Sequence, residues 1–205
     1  SACDQRRRSL REYGAVTPPK NSPALHLQCH PAAPAGATLG LTVAVSVTPT
    51  GLQLVYRVAG SCAALRIPPA TQPGPADGLW RHTCMEAFVA VEGDAAYREF
   101  NFSPSGQWAI YSFAGERVRT FLDVDAAMQP SIQIQIQSSI EQLTLAVHLP
   151  WSALPARGSM LNVALSAVIE EVNGRLSYWA RQHPGEQPDF HHPAGRDLRL
   201  ALPEN

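Results

Sequence analysis

Long apolar runs are missing from this chain, and none approaches the roughly 20 residues that a membrane-spanning helix needs. Nor does its start carry the apolar centre of a secretory signal. Neither sign of charge is in excess. With 16 Lys and Arg against 17 Asp and Glu, the formal charge is −1. Nothing global draws the chain toward nucleic acid or an anionic membrane, and neither is expected as a partner. The one basic cluster, Arg6-Arg7-Arg8 with Arg11, falls in a polar leader and reads as a solvated terminus. Cysteine is sparse and scattered at Cys3, Cys29, Cys62 and Cys84, without a C-x-x-C pair. No metal centre is expected from it. The cysteines read as reduced thiols, which points to a cytoplasmic protein. Ser1-Ala2-Cys3, if it is the tail of a bacterial lipoprotein signal, would mean export instead.

Helical periodicity is almost absent as well, which excludes a βαβ fold. A period of two takes its place. Leu39, Leu41, Val43, Val45 and Val47 alternate with small or hydroxyl residues. Leu52, Leu54, Tyr56 and Val58 follow a hairpin turn at Pro49-Thr50-Gly51. Ile132, Ile134 and Ile136 alternate with glutamines, and Leu143, Leu145, Val147 and Leu149 repeat the pattern. Further strands are expected at 24–29, 61–67, 84–92, 96–103, 107–114, 161–172 and 175–180, with a last one through Leu198, Leu200 and Leu202. Only Trp151 to Leu154, after Pro150, suggests a helical turn. The expectation is an all-β, antiparallel, jelly-roll-like β-sandwich. A length of 205 residues suits one domain, here 24–205, behind a flexible leader at 1–23.

Aromatic residues make up only 7% of the chain, yet they crowd into Asp77–Tyr111 together with Glu86, Glu92 and Glu99. Glu86 interrupts the strand-like run Cys84-Met85-Glu86-Ala87-Phe88-Val89. Strand alternation puts Met85, Ala87, Val89 and Val91 on a uniformly apolar face. Glu86 lies opposite, with Cys84, Phe88 and Ala90. A buried, unpaired carboxylate is costly, so Glu86 needs a partner or a wet cleft. The next strand offers Arg98 or Asn101 across a hairpin at 92–95. A Glu86–Arg98 ion pair that merely satisfies a strand is one reading. The other is a polar cluster flanked by flat rings that grips a polyhydroxyl ligand, since sugars present apolar faces and a belt of hydroxyls. Trp80 lies just upstream, and Trp179 shares a face with Arg175 and Ser177.

The stretches DGLWRHTCMEAFVAVEG (77–93), YREFNFSPSGQWAIYSF (97–113) and SYWARQHPGEQPDFHHP (177–193) resemble bacterial DOMON-like domains. These are sandwich domains related in fold to family 9 carbohydrate-binding modules. The resemblance implies a non-catalytic module that binds a saccharide and needs no cofactor. It also implies that Trp80 and Trp179 clamp a sugar and that Glu86 accepts hydrogen bonds from its hydroxyls. Arg98 is expected to orient Glu86 and keep it ionised, and Asn101 to add a donor or acceptor. Met85 stands where the group has an aromatic, and Arg181 adds a charge near the second tryptophan.

Three other readings compete. Some DOMON domains hold a b-type haem, for which Met85 and one of His82, His183, His191 or His192 would be the ligands. Met85 on the apolar face argues against it. A glycosidase would need two carboxyl groups across a cleft, such as Glu86 with Glu99 or Glu170. Adjacent Glu170 and Glu171 point to opposite faces and cannot form such a pair. Asp189-Phe190-His191-His192, between prolines, reads as a structural loop beside the cleft. Lastly, an edge strand at 131–138 could pair with another chain in an interaction domain without a small ligand.

Overall fold

In the computed structural model, residues 23–155 and 160–202 are described. The expected leader therefore lies outside them except for Pro23. The chain forms β1 (Ala24–Cys29), β2 (Thr38–Thr48), β3 (Gly51–Gly60), β4 (Gly74–Pro75) and β5 (Cys84–Val91). Then come β6 (Tyr97–Phe102), β7 (Gln107–Gly115), β8 (Val118–Thr120) and β9 (Ser131–Gln137). Last are β10 (Gln142–Pro150), β11 (Met160–Glu170), β12 (Leu176–Ala180) and β13 (Leu198–Ala201). Only short 3₁₀ turns interrupt them. One is Trp151–Ala153, where a turn is expected after Pro150. No helix among the described residues is long and apolar enough to cross a membrane.

The strands make one curled sheet in the order β4-β7-β6-β5-β11-β12-β1-β2-β3-β10-β9, with β13 on β11 and β8 on β7. β1 joins its halves. Ala24–Leu27 pair with β2, whereas Gln28 and Cys29 pair with Ala180 and Trp179 of β12. The sheet is mixed rather than wholly antiparallel, because two-residue β4 runs parallel to Gln107 and Trp108. It enters from the proline-rich segment 68–75, held first by Thr71 N–H on the Ser105 carbonyl. The strand expected at 61–67 is a 3₁₀ turn at Cys62–Ala64 and a single bridge from Leu65 to Glu171. Pro68 and Pro69 follow it, and prolines have no N–H to extend a ladder.

Alternation sends one row of each strand into a shared core. Leu41, Leu52, Leu54 and Leu145 come from one half, and Met85, Phe100, Phe102 and Leu165 from the other. Each fully buried side chain of this size contributes about 1.5–3 kcal/mol. Tyr56 of β3 spans the core, its phenol donating to the Glu86 carbonyl of β5 at 2.8 Å. The outer faces differ. Behind β2, β3 and β10 the small cluster is Ala44, Val55 and Ala146. Behind β5, β6, β7 and β11 it is aromatic, with Phe88, Tyr97, Tyr111 and Phe113.

Gly51 fixes how β3 meets both neighbours, pairing with Thr48 of β2 and Pro150 of β10. A Cβ there would lie 2.0 Å from the Leu149 carbonyl oxygen, which is backbone and cannot swing away. Gly51→Ala is expected to lower unfolding stability by about 1–3 kcal/mol, read from a denaturant midpoint.

Candidate functional site

The aromatic outer face floors an open cleft of about 680 Å³. Strand register orders its side chains in rows. In one, Asn101 of β6 and Ser166 of β11 flank Glu86 of β5. In the next, Tyr111 of β7 and Glu99 of β6 stand beside Phe88 of β5. Trp80, on the 3₁₀ turn Leu79–Arg81, forms one wall, and Tyr178 and Phe190 form another. Arg117 and Arg119, from the β7–β8 hairpin, reach the mouth.

Glu86 is 2% exposed, and its Oε1 has no hydrogen-bond partner. Asn101 Oδ1 and Ser166 Oγ on the flanking strands are likewise unpartnered. Burial, and then the neighbouring Glu99, push the Glu86 carboxyl well above the usual range. Ser166 beside it offsets part of this. Burial also raises Glu99, opposed by the Asn101 amide and then by Arg119 and Arg117. Asn101 Nδ2 donates to Glu99 Oε1 at 2.8 Å. Both carboxyls are raised, and of the two Glu86, with no amide or guanidinium to favour its charge, holds its proton the more strongly.

A second chain of groups leads to Glu99. Arg117 N–H donates to the Tyr97 phenol oxygen at 3.2 Å, which leaves the phenol proton for His191 Nδ1 at 2.7 Å. The neutral imidazole then carries its proton on Nε2, 3.7 Å from Glu99 Oε2. Burial, followed by Arg117, lowers His191 to about 4, so it is neutral near pH 7. On the other side Tyr111 donates to Asp77 Oδ1 at 2.8 Å. Burial and this carboxylate push the phenol up to about 12.

Of the residues expected at the site, Trp80, Glu86 and Asn101 share this face. Trp80 is 48% exposed at the mouth. Trp179 does not join it. It is 5% exposed within the core, pairs with Ala167 of β11, and donates Nε1–H to Ser177 at 3.0 Å. Its neighbour Tyr178, one step out of phase, faces the cleft, so the two indoles form no clamp. Arg98 shares the inner face with Phe100 and Phe102 and donates to the Ala153 carbonyl at 2.6 Å. The expected Glu86–Arg98 pair does not form, and without a guanidinium beside it Glu86 is not held ionised. Met85 is fully buried on the core face, away from the cleft, whereas His191 lines it. His82 is bonded to Glu170 at 2.8 Å. Among the described residues no three His, Cys, Asp or Glu side chains converge as a metal site.

Sequence reasoning passed over Tyr111, Tyr178, Arg117 and Arg119, and set Phe190 only in a structural loop beside the cleft. The first two were within reach of it, because Tyr111 has the phase of Ala109 beside Asn101, and Tyr178 adjoins the tryptophan singled out.

No protein-family profile matches the chain, and no curated protein does. Solved structures do. A protein from Bacteroides uniformis whose name proposes carbohydrate binding aligns over 89% of this chain and 87% of its own, with TM-score 0.65 and 19% identity. A family 9 carbohydrate-binding module from Caldicellulosiruptor kristjanssonii, solved with glucose, aligns over 88% and 85%, with TM-score 0.57 and 7% identity. The same module solved with cellotriose gives 88% and 82%, again at 0.57 and 7%. At these identities the likeness is one of fold: mostly β, and similar to that of family 9 modules.

Proposed function

We propose that this protein is a non-catalytic module that binds a saccharide in the cleft on the outer face of β5, β6, β7 and β11. The observation that carries it is the combination of flat rings on the walls with buried polar groups on the floor. Trp80 and Tyr178 offer faces to the C–H side of a sugar ring. Glu86 and Glu99 line the floor beneath as hydrogen-bonding groups for its hydroxyls, and buried Asn101 orients Glu99 from behind. Glu86, its carboxyl raised by burial, donates as well as accepts when it holds its proton. The fold neighbours solved with glucose and cellotriose support the ligand class. Grouping this chain with the DOMON-like sandwich domains rests on the three sequence stretches that resemble them. Trp179 and Arg98 serve in this reading as support beneath the floor and have no contact with the sugar.

Titration calorimetry against a panel of mono- and oligosaccharides tests the proposal. Wild type binds at least one of them, and Trp80→Ala weakens that binding about tenfold, the scale of one lost ring contact with its buried area. The half-exposed position leaves the melting temperature of the variant close to wild type. Unchanged affinity in the folded variant would remove Trp80 from the site. Absence of binding across the panel by wild type would remove the saccharide reading itself.

A further inference from the structure

Most of the charges that a ligand meets first in this cleft are cationic, with Asp77 the exposed acid among the lining residues, and the two glutamates lie underneath. Arg117 and Arg119 have side chains 59% and 62% exposed, whereas Glu99 is 7% and Glu86 2% exposed on the floor. Arg81 joins them from the turn that carries Trp80, and among the described residues it has no acidic partner. Arg119 is held only loosely, 3.9 Å from exposed Asp77. Arg117 alone is firmly paired, at 2.8 Å to Asp189.

Two of these guanidiniums are already arrayed on the rings that line the cleft. Arg81 lies 5.2 Å from the centre of the Trp80 ring, and Arg119 lies 4.3 Å from that of Tyr111. Stacking on a ring fixes the plane of a guanidinium and leaves its N–H fork directed sideways, the geometry that accepts a carboxylate through two parallel bonds. The hairpin that delivers Arg117 and Arg119 turns through Arg117 itself at φ 59°, a conformation glycine adopts without steric cost. An arginine at that point carries its charge to the cleft mouth.

We propose that the saccharide taken by this cleft carries a carboxylate, as a uronic acid residue does, and that Arg81 and Arg119 hold that carboxylate at the mouth while the ring lies between the aromatic walls. This rests on the saccharide reading above and names its ligand class. Burial raises the Glu86 and Glu99 carboxyls alike, which weakens the repulsion the floor offers an anionic guest. Asp77, exposed beside Tyr111 and 3.9 Å from Arg119, is the acid that a ligand carboxylate would displace from that guanidinium.

The test compares an oligogalacturonate, a neutral glucan of the same length and a phosphorylated sugar, each at low and high salt, by titration calorimetry with wild type and with the Arg81→Gln/Arg119→Gln variant. Wild type is expected to bind the uronate about tenfold more tightly than the glucan at low salt, and salt should shrink that ratio. In the variant the ratio falls to about one. Both arginines are exposed, and an unchanged melting temperature shows that the variant folds. Equal affinities for uronate and glucan in wild type would overturn the carboxylate assignment while leaving the saccharide reading intact. So would a preference for the phosphorylated sugar, or a preference for uronate that survives in the variant. Binding of none of the three would fail the saccharide reading instead.

Discussion

Trp179→Ala is expected to destabilise the protein by about 3–5 kcal/mol, the range for removing a large aromatic side chain from a packed interior. Trp179 belongs to the main core with Leu27, Met85 and Ile169, and its indole nitrogen spends its proton on Ser177. Truncation would leave a cavity where β12 meets β1 and β11, and would leave the buried Ser177 hydroxyl with only its donation to the Ile169 carbonyl at 3.5 Å. These strands join the two halves of the sheet, since Trp179 pairs with Cys29 of β1 and Ala167 of β11. A domain with 5–15 kcal/mol in hand would lose a large part of its margin. Urea unfolding monitored by fluorescence measures this, and a loss under about 1 kcal/mol would take Trp179 out of the core. The contrast with Trp80→Ala is the diagnostic: one tryptophan governs stability and the other governs affinity.

The same pair shows how far the sequence could be read. Alternation placed Glu86 opposite Met85, Ala87 and Val89, and it placed Tyr97, Glu99 and Asn101 opposite Arg98. The ladder agrees with both, with Glu86 across from Asn101. What alternation cannot say is which face is inside. In β5 the question was answerable because one row is wholly apolar. In β12 the choice between Ser177 with Trp179 and Tyr178 with Ala180 offers no such contrast, and burial there is decided by β11 and β1. Arg98 was misplaced for a related reason. Its phase with Phe100 and Phe102 was visible, but the pull of pairing an acid with a base outweighed it. The β5–β6 hairpin is local and was legible from its turn. Glu86's other neighbour, Ser166, arrives from 80 residues downstream and had no signature. The Arg117 and Arg119 rim depends on the β7–β8 hairpin, in which β8 is three exposed residues without a periodic pattern. The mixed character of the sheet is hidden similarly, since β4 is two residues beside a proline run.

Removing the Glu86 carboxyl should stabilise the protein, and increasingly so as the pH rises. The folded state keeps Glu86 protonated because burial and Glu99 oppose its charge, whereas the unfolded chain releases that proton near the ordinary value of about 4.3. Above that pH the native state binds more protons than the unfolded one, and the slope of stability against pH is negative. Stability is therefore lost as pH rises from about 4.3 toward the raised native value, by about 1.4 kcal/mol per pH unit, and levels off beyond it. Below about 4.3 both states are protonated and the cost vanishes. Glu99 works in the same direction more weakly, because the Asn101 amide and the two arginines favour its charge. Glu86→Gln keeps the shape, abolishes the titration and can offer an N–H to the unpartnered Asn101 Oδ1. The expected gain is near zero around pH 4 and grows as the pH rises above it. Chemical denaturation of wild type and variant across that range measures it, and infrared spectroscopy of the wild type should show a protonated-acid carbonyl that the variant lacks. A gain that does not change with pH would mean that Glu86 is ionised in the folded state. The floor would then carry a charge opposing an anionic sugar, and the carboxylate proposal would have to overcome it. The neutral acid is thus the point at which fold stability and ligand class are linked. A sheet that buries Glu86 without a cation gives up stability above pH 4 and leaves the exposed guanidiniums as the charges a ligand meets.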